Sequence, residues 1–169
     1  MKKLLFVVIA IALVCACTQE KKTAKPAAVK ADIKIEDTTI YGKCIGAANY
    51  TIQIQTVTSD SLVFYIPEDT LEDNRIVLGG LFEEDQYAIL GYKDADNQHI
   101  ANKVINLTTL MGSWADEATG TSLKLDEDLT WIMNGKIISN KDTFSIYDLS
   151  SDTLTIENKD GIIFLSRQK

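Results

Sequence analysis

The chain of 169 residues has one histidine, three cysteines and two prolines. A single imidazole allows one His-centred site at most, around His99, and no Gly-x-Ser-x-Gly elbow accompanies it, so triad hydrolysis has no parts to work with. Positive charge is also short. Seventeen basic against 24 acidic side chains leave a net charge of −7, a surface that repels phosphate backbones and excludes nucleic acid as the partner. Long apolar runs are scarce too. The one unbroken stretch, Leu4 to Val14, is too short for the ~20 residues of a transmembrane helix.

That stretch has a definite setting. Lys2 and Lys3 precede it, small residues and Cys17 follow, and the chain then turns polar. A basic start, a short apolar run and a small-residue exit describe a secretory signal. With a cysteine at the boundary, residues 1–16 and Cys17 resemble a bacterial lipoprotein signal. Cys17 follows the small Ala16, whereas Cys15 follows the branched Val14, so Cys17 is the better acceptor. The resemblance implies cleavage before Cys17, a diacylglycerol thioether and an N-acyl chain. One acyl chain holds a protein marginally, at ~0.8 kcal/mol per buried methylene, and two or more hold it stably. Thr18 rather than Asp follows the cysteine, so the expected address is the outer membrane, on its periplasmic face or the cell surface.

Removing residues 1–16 takes away Lys2 and Lys3 and moves the net charge from −7 to −9. Only Cys44 then remains as a thiol, and one thiol makes no intramolecular disulfide, thiolate metal site or redox pair. Its apolar run, Ile40 to Ala47, makes it buried filler. Residues 17–36 mix Lys21, Lys22, Lys25, Lys30 and Lys34 with Ala, Thr and Pro26, which reads as a solvated tether.

From there the chain is written in strands, and the expected class is all-β. Tyr50 to Val57 alternates with period two, burying Ile52 and Ile54. Ser61–Ile66, Arg75–Phe82, Gln86–Tyr92 and Ile100–Leu107 follow, with a short helix at Glu68–Asn74 as the one exception. Gly79, Gly80 and Gly91 suggest bends or bulges. Residues 37–108 therefore suit a small OB-like barrel.

The run Leu107-Thr-Thr-Leu-Met-Gly-Ser-Trp114 crosses into residues 109–169. Thr121–Leu125, the turn Asp126–Asp128, Thr130-Trp-Ile-Met133 and the tight turn Asn134-Gly135 follow. Asp142–Leu149, Thr153–Glu157 and Gly161–Arg167 add three strands. This order resembles the lipocalin-like barrel of NlpE-like envelope lipoproteins. The resemblance implies a second small β-barrel in which Arg167 on the last strand covers Trp114 on the first, a cation–π contact. The alternative architecture is one continuous barrel of about ten strands. NlpE-like proteins carry Cys-x-x-Cys after the Trp, but Ala115 to Gly120 holds no cysteine, so copper chemistry does not transfer.

Trp114, Trp131, Met133, Phe144 and Arg167 are candidates for a ligand cavity or for core. Asp94 to Ile105 fails as a calcium loop, and the acidic triplets Glu83–Asp85 and Asp126–Asp128 read as turns. Thr38, Ser61, Thr70 and Thr153 each follow an Asp or lie in an Asp-Thr-Thr run, and resemble O-glycan acceptors of exported proteins in some Gram-negative anaerobes. The sequence calls for no cofactor and no metal. It predicts no enzyme but a binding or scaffold module that meets an envelope protein or a small apolar ligand, with a stress or surface sensor as the alternative.

Overall fold

The computed structural model describes residues 37–68, 75–126, 130–139 and 142–169, the side chains at 130, 131 and 139 excepted. Cys17, the signal, the tether, Thr70, residues 69–74 of the expected Glu68–Asn74 helix and the Trp131 side chain lie outside the described residues. Residues 36–169 form one compact unit, and it is all-β.

The first sheet holds β1 (Thr39–Ala48), β2 (Thr51–Thr56), β3 (Ser61–Tyr65), β4 (Val77–Leu78), β5 (Gln86–Lys93) and β6 (His99–Asn106). Strands β3, β2, β1, β5 and β6 pair in that order, and a parallel β3–β6 pairing closes five of them into an OB-like barrel. Its interior packs Cys44, Ile52, Ile54, Phe64, Tyr87, Ile89, Ala101 and Val104. The period-two pattern of β2 places Ile52 and Ile54 in that core, as expected.

The stretch Arg75–Phe82 is not the full strand that its composition suggests. Only Val77–Leu78 pairs, because β3 already occupies β6 at His99–Ile100 and leaves room only at Val104–Ile105. Gly79 and Gly80 then turn the chain at φ +87° and +79°, and Gly79 crosses so closely that a Cβ would lie 2.9 Å from that of Asn106. Asn106, the buried polar side chain, holds this corner. It donates to Asp85 at 2.7 Å and Tyr87 at 3.1 Å and caps α1 (Leu107–Leu110) by accepting from Thr109 N.

The second sheet contains β7 (Gly112–Asp116), β8 (Thr121–Leu125), β9 (Thr130–Met133), β10 (Lys136–Ser139), β11 (Asp142–Leu149), β12 (Thr153–Asn158) and β13 (Gly161–Arg167). Its order, β8-β7-β13-β12-β11-β10-β9, pairs the first strand with the last and leaves β8 and β9 as edges. It is a curled half-barrel. The continuous ten-strand alternative is not what forms: α1 and Gly112, at φ +140°, divide the chain between the two sheets.

The concave face of the half-barrel is filled partly by the outside of the first barrel. Leu78, Ala88 and Ile105 share one core with Trp114, Leu125, Ile137, Ile146 and Leu154. Strands β5 and β6 are thus covered on both faces at Tyr87–Ile89 and Val104–Asn106, where every residue is buried. The edge of β9 is also satisfied from the first barrel. Tyr41 Oη donates to Ile132 O and accepts from Ile132 N at 3.0 Å, which blunts an edge otherwise open to pairing.

Lys103 crosses the same junction and donates to Ile146 O at 2.9 Å. Burial, and then the charge of Lys136, lower its pKa from 10.5. A depressed lysine pKa penalises the folded state at pH values below it, so this penalty lifts as pH rises toward the unfolded value. Compared with Lys103→Met, the wild type is expected to gain thermal stability between pH 7 and pH 10. A constant difference in melting temperature between the two proteins would remove that assignment.

Candidate functional site

The half-barrel is closed at one end and open at the other. At the closed end Trp114 is 1% exposed and donates Nε1–H to Leu110 O at 2.9 Å. The guanidinium carbon of Arg167 lies 4.1 Å from the Trp114 ring centroid. Its nitrogens donate to Met111 O at 2.9 Å, Ser151 O at 2.5 Å and Thr109 O. The fork thus ties α1 and the β11–β12 turn to the last strand. Gly112 stands where a Cβ would come within 2.5 Å of Arg167 Nη1, so the residue in Gly-x-Trp that must be small is the one beneath the arginine.

At the opposite end a cavity of about 920 Å³ opens among the turns, walled by β8, the start of β11 and the β12–β13 hairpin. Leu123, Phe144, Ile156, Ile163 and Leu165 supply its apolar lining, while Lys124, Asp142, Asn158, Lys159 and Asp160 stand among its polar groups. The hairpin is set by Asn158, whose Oδ1 accepts from Asp160 N at 2.8 Å and Gly161 N at 3.2 Å. Small-molecule sites are ~300–1,000 Å³, apolar-lined with a few polar groups. This cavity matches them in volume, but its lining is mixed, with eight polar residues and five apolar ones.

The candidates fall into three groups. Trp114 and Arg167 meet at the closed end, and Phe144, 8% exposed, lines the open end. Met133 does neither: it is 47% exposed. The alternation in β9 runs the other way, with Ile132 buried opposite Ile137 and Met133 beside the Asn134-Gly135 turn, where both turn residues have positive φ. Thr38, Ser61 and Thr153 are all exposed. They lie on separate segments, before β1 and at the starts of β3 and β12.

Sequence reading missed Tyr41, Asn106 and the apolar wall at Leu123, Ile156, Ile163 and Leu165. Only a knowledge of which faces meet would have singled them out. The interval that carries Cys-x-x-Cys in NlpE-like proteins is here a self-contained turn. Asp116 accepts from Thr119 Oγ1 at 2.6 Å and Ala118 N at 2.9 Å, and these bonds, the Thr119 side chain first, hold its carboxyl below the usual range. Among the described residues no group of three or more His, Cys, Asp or Glu side chains is placed to hold a metal ion. Cys44 is buried, and burial, opposed by its bond to Gly46 O, pushes its thiol up, which makes it a poor nucleophile. Comparisons with protein-family models, curated proteins and solved structures give no match.

Proposed function

We propose that the chain is a lipoprotein of the outer membrane, anchored through acylated Cys17, whose folded part is a non-enzymatic binding module of the cell envelope. The observation that carries the binding role is the cavity of the half-barrel: about 920 Å³, with five apolar side chains in its wall beside a mixed-charge set of polar groups. Such a site favours a small apolar ligand with a polar head over a large flat partner. A scaffold role toward an envelope protein, or sensing without copper as in the NlpE-like resemblance, is the second reading. The Lys-rich residues 17–36 would hold the module off the bilayer while lying on anionic head groups, at up to ~1 kcal/mol per lysine.

Titration of the protein with the neutral fluorophore N-phenyl-1-naphthylamine tests the carrier reading. Saturable binding is expected. Leu123→Lys and Ile163→Lys, half-buried positions in the cavity wall, should each weaken it by about tenfold or more, because an ammonium in the wall must be desolvated. Binding that never saturates, or that ignores both substitutions, removes the carrier reading.

A further inference from the structure

We infer that the convex face of the half-barrel docks on the surface of an anionic lipid bilayer, an inference that rests on the lipoprotein reading of Cys17. Register aligns Met133, Lys136, Ser145, Glu157 and Ile162 in one row across β9, β10, β11, β12 and β13. Their neighbours Ile132, Ile137, Ile146 and Ile156 lie in the shared core, so the row faces out. Met133 is 47% and Ile162 53% exposed. Phe164 follows Ile162 by two residues along β13, on the same face, and is 70% exposed. Tyr147, 45% exposed, stands at the bulge of β11 and donates Oη–H to Glu157 at 3.1 Å. Four large apolar side chains on one sheet face mark a surface that meets a partner or a membrane.

Two observations favour the membrane. The first is where the chain enters the fold. Asp37 Oδ1 accepts from Asn134 N at 3.1 Å, so residues 17–36 arrive beside Met133, at one border of this face. A polar linker of that length keeps its ends within about 25 Å. That holds the face against the lipid at a local concentration on the order of millimolar, where weak insertion is enough. The second is charge. The chain is net −7, but around this face Arg75, Lys136 and Lys159 offset Asp148, Glu157 and Asp160. Asp148 pairs with Arg75 at 3.2 Å, and Lys136 makes no ion pair among the described residues. A neutral face with a lysine to spare can approach lipid phosphates that the rest of the surface repels. Met133, Ile162 and Phe164 then enter the boundary between head groups and acyl chains, and the Tyr147 ring lies at the interface with its hydroxyl on Glu157.

The acylated full-length protein, reconstituted into vesicles of phosphatidylethanolamine and phosphatidylglycerol, tests the inference. The fluorophore NBD is attached through Phe164→Cys or, as a control, through Tyr50→Cys. Tyr50 is 55% exposed and follows the end of the ten-residue β1 that is remote from Asp37. Cys44 is buried and does not take the label. Both proteins are expected to float with the vesicles. Lipids brominated on their acyl chains should reduce emission from residue 164 and leave that from residue 50 unchanged. Ile162→Asp, at an exposed position, should restore emission at residue 164 without loss of flotation, because its carboxylate resists desolvation. Proteins that do not float remove the lipoprotein reading and this inference with it. Floating proteins with no quenching at residue 164, with equal quenching at the two positions, or with quenching that Ile162→Asp leaves unchanged overturn the docking alone.

Discussion

Trp114→Ala is expected to destabilise the folded unit by about 3–5 kcal/mol, lowering its melting temperature by roughly 10–20 °C for a unit of this size. Three losses coincide. The side chain is 1% exposed and sits in the core that both sheets share, so its removal leaves a cavity beneath two elements at once. Leu110 O loses its indole donor, at about 1–3 kcal/mol for an unpaired buried acceptor. Arg167 loses the ring it covers at 4.1 Å, at ~0.5–2 kcal/mol. Burial is therefore the dominant part. Trp114→Phe separates the contributions: it keeps most of the area and should cost about half as much as alanine. A loss under about 1 kcal/mol for the alanine variant, measured by urea unfolding, would mean that the closed end is not a keystone of the fold.

What could be read in the chain divides along one physical line: whether a segment's neighbours are local. The alternation in β2 reports one buried and one open face, and Ile52 and Ile54 lie in the core that it predicts. Asn134-Gly135 forms the tight turn that its chemistry requires, at φ +49° and +72°. Gly91 lies at a register shift between β5 and β6. The arginine over the tryptophan, implied by the lipocalin-like resemblance, joins residues 53 apart in sequence by neighbouring strands.

The misreadings come from longer range. Arg75–Phe82 has strand composition, but the free edge of β6 accommodates only two of its residues. Met133, a candidate for cavity or core, stands outside: Thr-Trp-Ile-Met carries apolar residues on both phases, and only the pairing with Ile137 shows that Ile132 takes the inside. The cavity was invisible for the same reason. Its wall comes from β8, β11 and the β12–β13 hairpin, and each contributes residues that read as ordinary strand core. The shared core between the sheets left only a faint trace: Tyr-Ala-Ile at 87–89 is buried on consecutive positions, where a strand with one wet face would alternate.

On the proposed lipoprotein reading Cys17 carries the other large effect, because its acylation would decide whether the module is at a membrane at all. A single acyl chain gives only ~10⁴ M⁻¹ of membrane affinity, and further chains add ~0.8 kcal/mol for every buried methylene. Loss of the thioether should therefore act as a switch, not as a graded weakening. Cys17→Ser keeps size and polarity near those of cysteine and lies outside the described residues of the folded unit. Metabolic labelling with a radioactive or clickable fatty acid, followed by membrane fractionation, reads this directly. The wild type is expected to carry label and sediment with the outer membrane, and Cys17→Ser to carry none. Equal labelling of the two proteins, or none in either, would contradict an envelope module held by lipid at residue 17.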